Sequence, residues 1–296
     1  MPITVRQLHP LFVGEVSGID LRQPLDRAAV AEVEAAINQH GVLVFHDQVI
    51  TDEQQQAFSR NFGGLESTVR AYRTDFVPRL DVYMADISNL DENNKVLSGH
   101  DRRRLNALGN RLWHSDSSFK RVPSRFSLLS ARVVPSWGGE TQFADMRAAY
   151  DTLDEDTKRQ VHDLICEHSQ MYSRSLLGFT EFTEEEKRLC VPVQQRLVRR
   201  HQVTGRLSLY LASHAGTIIG WPIPEARAFL MDLVEHATQR KFVYAHVWKL
   251  HDLVIWDNRV TMHRARRYDS TQVRDMRRTT VTNEVSSLEQ APLPLS

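Results

Sequence analysis

Cysteine is nearly absent: Cys166 and Cys190 are the only two in 296 residues. Two thiols in so long a chain make no disulfide framework and form no C-x-x-C metal motif. A reduced, cytoplasmic protein is the simplest expectation. Excess charge of either sign is absent as well, with 37 basic residues against 37 acidic ones. That removes any overall pull toward nucleic acid or an anionic membrane surface. No apolar run approaches membrane-spanning length, and Met1-Pro2-Ile3-Thr4-Val5-Arg6 lacks the charged-then-apolar order of a signal peptide. Internal repeats and low-complexity segments are missing too. What remains is the composition of an ordinary globular protein, 41% hydrophobic, and we read residues 1–296 as a single domain.

Along the chain, Pro10, Gly14 and Gly18 break residues 3–20 into short strands. Asp26 is placed to cap a helix with apolar residues Val30, Val33 and Ile37 at helical spacing, and Gly41 ends it. Val42-Leu43-Val44-Phe45 reads as a buried strand. Thr51-Asp52-Glu53-Gln54 is a capping-box pattern for a second helix, stopping at Gly63-Gly64. Residues 65–112 are polar and weakly periodic, and long stretches of that kind serve as lids or binding loops. From Trp113 onward, strand-like runs recur at 126–134, 140–144, 207–212, 242–249, 253–257, 260–264 and 277–283. One helix is expected from Asp145 to Leu164 and another from Pro224 to His236. Residues 165–200 read as a charged insert, with a capping box at Thr183-Glu184-Glu185-Glu186. The order suggests a mainly β, α+β fold: a jelly-roll barrel, or double-stranded β-helix, with flanking helices and long inserts.

The chemistry-bearing residues are His114 and Asp116 in Trp113-His114-Ser115-Asp116, and His263 just past Trp256-Asp257-Asn258-Arg259. Two histidines and one carboxylate can hold one face of an iron(II) ion and leave three positions open, as an oxygen-using enzyme needs. His-x-Asp alone carries little weight, since a chain with 13 histidines contains about one such tripeptide by chance. A structural, hydrogen-bonded histidine is the ordinary alternative for His114, and a core histidine for His263. On a strand, however, His114 and Asp116 would project from one face with Ser115 pointing away. Arg274 and Arg278 would share a strand face about 13 Å apart at Cα. Thr141 and an arginine suit a carboxylate ligand, through a hydroxyl and a bidentate guanidinium. The bland alternative is a solvated basic face, because Arg264, Arg266, Arg267, Arg277 and Arg278 crowd the region.

The combined pattern resembles the taurine dioxygenase family of iron(II)/2-oxoglutarate-dependent oxygenases. It consists of His-x-Asp, Thr141, Trp-Asp-Asn-Arg, the distal His263 and then Arg274 and Arg278. The likeness extends to the wording at 8–12, 113–119, 144–151, 235–240 and 263–269, and covers nearly the whole chain. It implies an oxidoreductase in which His114, Asp116 and His263 bind iron(II). Arg274 and Thr141 would hold the far carboxylate of 2-oxoglutarate, O2 would be the oxidant, and ascorbate would stimulate turnover in vitro. Arg278 would meet the acid group of a small aromatic substrate, with His214, His201 and Arg70 as supporting residues. An aryloxyacetate such as 2,4-dichlorophenoxyacetate is the first substrate implied, with an alkyl sulfonate or another aromatic carboxylate as the alternative. A non-catalytic metal-binding barrel is the non-enzyme alternative, which a keto-acid clamp at Thr141 and Arg274 disfavours. Ala71 and Thr217 stand where aryloxyacetate-cleaving members carry a lysine and a histidine, which bears on the substrate and leaves the metal site untouched. No nucleic-acid or membrane partner is expected, and a homo-oligomer is.

Overall fold

A computed structural model describes residues 3–68, 77–290 and 293. Strands β1 (Thr4–Gln7) and β2 (Gly14–Ser17) lead to helix α1 (Arg27–His40), strand β3 (Val42–Phe45) and helix α2 (Asp52–Arg60). Then come β4 (Ala85–Asp86), α3 (Arg102–Ala107), β5 (Ser124–Val133), β6 (Thr141–Asp145), α4 (Met146–Asp151), α5 (Glu155–Val161) and β7 (Ile165–His168). Next are α6 (Gln170–Ser175), α7 (Glu184–Leu189), β8 (Val193–Arg196), β9 (Val198–Arg200), β10 (Leu207–Leu209) and β11 (Ala215–Ile218). The chain continues through α8 (Ile223–Ala237), β12 (Val243–His246), β13 (Leu253–Asp257), β14 (Thr261–Ala265) and β15 (Asp275–Thr282). Among the described residues, no helix is long and apolar enough to cross a membrane.

The largest sheet has seven strands in the order β1-β2-β3-β13-β5-β15-β4. It is mixed, because β2 and β3 run parallel while its other pairs are antiparallel. Smaller sheets are β12-β6-β14, β11-β7-β8 and β10-β9. Strands and helices thus combine as expected, but among the described residues hydrogen bonding joins the strands into separate sheets and not one closed cylinder.

The apolar run Val42-Leu43-Val44-Phe45 has its cause in the layers around it. Successive side chains of a strand face opposite ways. Leu43 and Phe45 join Val33 and Ile37 of α1 and Phe58 of α2. Val42 and Val44 join Phe143, Trp256 and Met276 on the other side. Both faces are covered, so no polar residue interrupts the strand. Both neighbouring helices form at their sequence signals. The Asp26 carboxylate accepts from the Ala29 amide at 2.8 Å, and Gly41 closes α1 at φ 72°, a conformation that disfavours side chains. Thr51 and Gln54 make the reciprocal capping box of α2. A fully buried pair, Arg147 on Asp145, also caps carbonyls of Asn38 and Gln39, tying the end of α1 to the start of α4.

Two expectations fail locally. The single helix from Asp145 to Leu164 is two, because Asp154 turns its carboxylate onto the Thr157 amide at 2.8 Å and starts a second helix. The insert at 165–200 also contains β7, β8 and β9, and its charged outward residues, such as Glu167 and Arg196, hid their alternation with buried Cys166 and Gln195.

His168 of β7 is fully buried and stacks on Tyr210, with ring centroids 5.8 Å apart. Burial first, and then the charge of Arg199, push its imidazole from 6.5 down to about 3. The unfolded chain therefore takes up a proton as pH falls below about 6.5, and the folded chain refuses it. The contribution of this residue is complete above that value and drains as pH falls. Replacing His168 by Leu should lessen the stability lost between neutral pH and pH 5 by on the order of 2 kcal/mol. Urea unfolding at the two pH values reads this, and an unchanged loss would remove His168 as the source.

Candidate metal centre and its cavity

His114 does not lie on the regular strand expected for it. One antiparallel bridge holds it to His263 of β14, through His114 N to His263 O at 3.0 Å and His263 N to His114 O at 2.8 Å. The chain then turns at once, with Ser117 at φ 53°. A single bridge still produces the expected facing. Ser115 points away and donates to the carbonyls of Leu211 and Thr261 at 3.3 and 3.1 Å. His114 Nε2 lies 3.8 Å from Asp116 Oδ1, and His263 Nε2 lies 3.6 Å from Asp116 Oδ2. All three residues are buried, and one ligand atom from each falls within 4.8 Å of the others.

The protonation states suit a metal. His114 Nδ1 is 2.7 Å from the Leu112 carbonyl, which assigns the proton to Nδ1 and leaves the Nε2 lone pair free. Burial lowers the pKa of both His114 and His263. Burial alone would raise the Asp116 carboxyl, but the charge of Arg278, with His263 and His114, holds it far below the ordinary range. Two neutral imidazoles and an ionised carboxylate are the donor set of a divalent transition ion.

Asp116 is held by its own support. Ser127 Oγ donates to its Oδ2 at 2.7 Å, and Asn258 Nδ2 donates to Ser127 at 3.0 Å. Asn258 Oδ1 accepts from the Asp116 amide at 3.0 Å and from Trp256 Nε1 at 3.1 Å. Sequence reasoning assigned no role to Ser127 or Asn258. The signal was present in Phe126-Ser127-Leu128, a buried hydroxyl between two buried apolar side chains.

A cavity of about 200 Å³ opens over the centre, lined by His114, Asp116, His214, Arg278, Arg174 and Phe119 among others. Residues of the 65–112 stretch, including Tyr83 and Asn106, form much of its wall, as a binding loop would. Arg278 Nη1 reaches Asp116 Oδ1 at 2.5 Å, while its buried Nε has no hydrogen-bond partner among the described residues. The His214 ring lies 6.2 Å from that of His114 and 4.8 Å from that of Phe119. Sequence reasoning overlooked Arg174, inside the charged insert, where it donates to Asn106 Oδ1 at 3.3 Å.

His201 does not line this cavity. Its Nε2 lies 3.2 Å from Asp257 Oδ2, away from this cavity, and Asp257 also takes a two-pronged contact from Arg259. Its task is to satisfy a buried carboxylate. Arg70, and Ala71 beside it, lie outside the described residues.

Thr141 and Arg274 are both buried and do not line this cavity. Thr141 begins β6, and its Oγ1 accepts from Trp248 Nε1 at 3.0 Å. Alternation along β15 turns Asp275 and Arg277 toward each other on one face and buries Met276 on the other, whereas Arg274 lies just before the strand, next to a register irregularity at Asp275 and Met276. Arg274 Nη1 donates to the Ile87 carbonyl at 3.0 Å, and its guanidinium lies over Tyr268. Its exposure is only 5%, and burial lowers its pKa. No carboxylate pairs with it among the described residues. A buried cation without a counter-charge is costly, so this position suits a ligand that brings an anion. Gly139 packs beside it, where an added Cβ would stand 3.5 Å from Arg274 Nε.

Residues 4–280 match the family described as taurine catabolism dioxygenase TauD, TfdA, and the chain belongs to that family. It is a dioxygenase, and so an oxidoreductase. Among its relatives is the alpha-ketoglutarate-dependent 2,4-dichlorophenoxyacetate dioxygenase of Burkholderia sp. (strain RASC), 46% identical over 282 residues, spanning 95% of this chain and 94% of that protein. The (S)-phenoxypropionate/alpha-ketoglutarate-dioxygenase of Sphingobium herbicidovorans is 38% identical over 291 residues, spanning 96% of each chain. The solved structure of AAD-2 in complex with Mn(II) and N-oxalylglycine superposes with a TM-score of 0.94 at 58% identity, covering 97% of this chain and 100% of that one.

If Ser127 orients Asp116 for the ion, Ser127→Ala should weaken Mn(II) binding by about tenfold, the usual effect of removing an outer partner of a metal ligand. Titration followed by calorimetry measures it, and an unchanged dissociation constant would assign Ser127 to packing alone.

Proposed function

We propose that this chain is an iron(II)- and 2-oxoglutarate-dependent dioxygenase that hydroxylates the methylene of an aryloxyacetate. The products would be a phenol, glyoxylate, succinate and CO2. The observation that carries the reading is the buried cluster of two histidines and a carboxylate, whose His114 and Asp116 line a cavity, together with Arg274, a buried cation with no carboxylate partner among the described residues. The relatives' names supply the substrate class. A small acidic aromatic molecule fits a cavity lined by cations that include Arg278 beside the metal ligand Asp116.

His114, Asp116 and His263 would hold the iron and leave its remaining positions open. Bound iron with 2-oxoglutarate and O2 supplies a strong oxidant for an unactivated C–H bond, one oxygen atom going to succinate and the other to the substrate. The residues of the chain bind and orient. Arg274 and Thr141 would grip the far carboxylate of 2-oxoglutarate by a charged contact and a hydroxyl. Arg278, which lines the cavity, would give a remaining guanidinium N–H to the substrate carboxylate while Nη1 stays on Asp116. Holding the acid there sets the adjacent methylene beside the metal ligands. A hydroxyl placed on that carbon, next to the ether oxygen, makes a hemiacetal, which releases the phenol and glyoxylate. His214 would border the same space. The reading also takes the seven-stranded sheet and the β12-β6-β14 sheet as opposing walls of a double-stranded β-helix in one domain, because their inward residues share one apolar cluster. It places the chain in the cytoplasm, in keeping with its two free thiols.

Succinate formation with phenoxyacetates, other aromatic carboxylates and alkyl sulfonates, in the presence of iron(II) and ascorbate, tests the proposal. Phenol release should match succinate for a phenoxyacetate, and turnover confined to a sulfonate would overturn the substrate claim. Arg274→Ala should raise the KM for 2-oxoglutarate at least tenfold, and Arg278→Ala should do so for the phenoxyacetate. Normal phenoxyacetate cleavage by Arg278→Ala would remove it from the site.

A further inference from the structure

Thr141 is held by a neighbour that the metal and substrate chemistry does not otherwise use. Trp248 follows β12, the strand that pairs with β6 and sets His246 opposite Thr141. Its indole is buried in the cluster with Phe143, Trp256 and Met276, and its N–H points at Thr141 Oγ1 from 3.0 Å. The indole nitrogen is a donor only. The Thr141 oxygen must therefore accept, and its own hydrogen is left to be given elsewhere.

The Trp248 ring is not free to leave. His246 meets it edge to face, with ring centroids 4.6 Å apart. His246 Nε2 is 3.0 Å from Asp252 Oδ2, which also accepts from the Lys249 amide at 2.8 Å. Asp252 Oδ1 lies 2.6 Å from His46 Nδ1 on the neighbouring strand end. One buried carboxylate thus anchors both ends of the turn that carries Trp248.

We infer that Trp248 is a positioning residue for the keto-acid subsite: its N–H occupies the Thr141 oxygen and directs the Thr141 hydroxyl hydrogen onto the ligand carboxylate beside Arg274. This rests on the proposed 2-oxoglutarate site and adds a residue to it. Trp248 acts through Thr141 and touches no reactant, so its effect vanishes when the hydroxyl is gone. A packing role would persist.

The test is a double-mutant cycle on the Mn(II)-loaded protein, titrated calorimetrically with the unreactive keto-acid analogue N-oxalylglycine. Trp248→Phe keeps a ring in the core and removes the donor. It should weaken N-oxalylglycine binding by about fivefold to tenfold, the range for one hydrogen bond, and leave Mn(II) affinity unchanged. Thr141→Val should weaken it at least as much, and the double variant should match Thr141→Val alone. Thr141→Ser, which keeps the hydroxyl, should restore the full effect of Trp248→Phe. Trp248→Leu, also lacking a donor, gives the same comparison should the phenyl ring not be accommodated. Native-like binding by Trp248→Phe, or an undiminished loss on the Thr141→Val background, would overturn the inference. Failure of the native protein to bind N-oxalylglycine at all would overturn the proposed function, and this inference with it.

Discussion

An ionised carboxylate shut away from water has to be matched by charge and by donors, and the site is organised around matching Asp116. Arg278 reaches it from β15, Ser127 from β5 and His263 from β14, while His114 precedes it by two residues. Removing any one partner would leave part of a buried charge uncompensated, which costs more than the contact itself is worth. The backbone pairing of His114 with His263 makes the convergence possible, since it joins segments distant in sequence through two hydrogen bonds. The sheets, the turn after Asp116 and the Asn258 support all act on that junction.

A second charge problem lies at Arg274, buried with, among the described residues, a backbone carbonyl and an aromatic ring against its guanidinium. The two sites mark two kinds of ligand. The lone pairs of two neutral imidazoles and an ionised carboxylate suit a metal cation at Asp116, and the missing counter-charge at Arg274 suits an anion. A keto acid that chelates the metal at one end and carries a free carboxylate at the other answers both.

Much of this was legible in the sequence for physical reasons. Short-range signals fixed the helix ends at Asp26, Gly41 and Thr51, where a side chain or a left-handed glycine does its work within a few residues. The triad was legible because its spacing matched a known family, and its i, i+2 facing survived although only one bridge formed. What escaped depends on contacts made across the fold. The family resemblance implies a pocket role for His201, whereas Asp257, 56 residues away, holds its ring. Strands β7 and β8 carry charges outward and so lack an apolar run. The Asp154 cap that splits the helix after Asp145 resembled an ordinary acidic residue within one. Trp248 and Arg174 belong to no motif and gain meaning only from what they face.

The central claim is that one buried centre binds a metal and 2-oxoglutarate together. Anaerobic visible absorption of the iron(II)-loaded protein addresses it directly, because a keto acid chelated to iron(II) through its ketone and carboxylate gives a metal-to-ligand charge-transfer colour. The account predicts a band that grows in with 2-oxoglutarate, requires iron(II), and is lost when His263 is replaced by Ala. Tight binding of 2-oxoglutarate without that band, or a band that survives loss of His263, would contradict it.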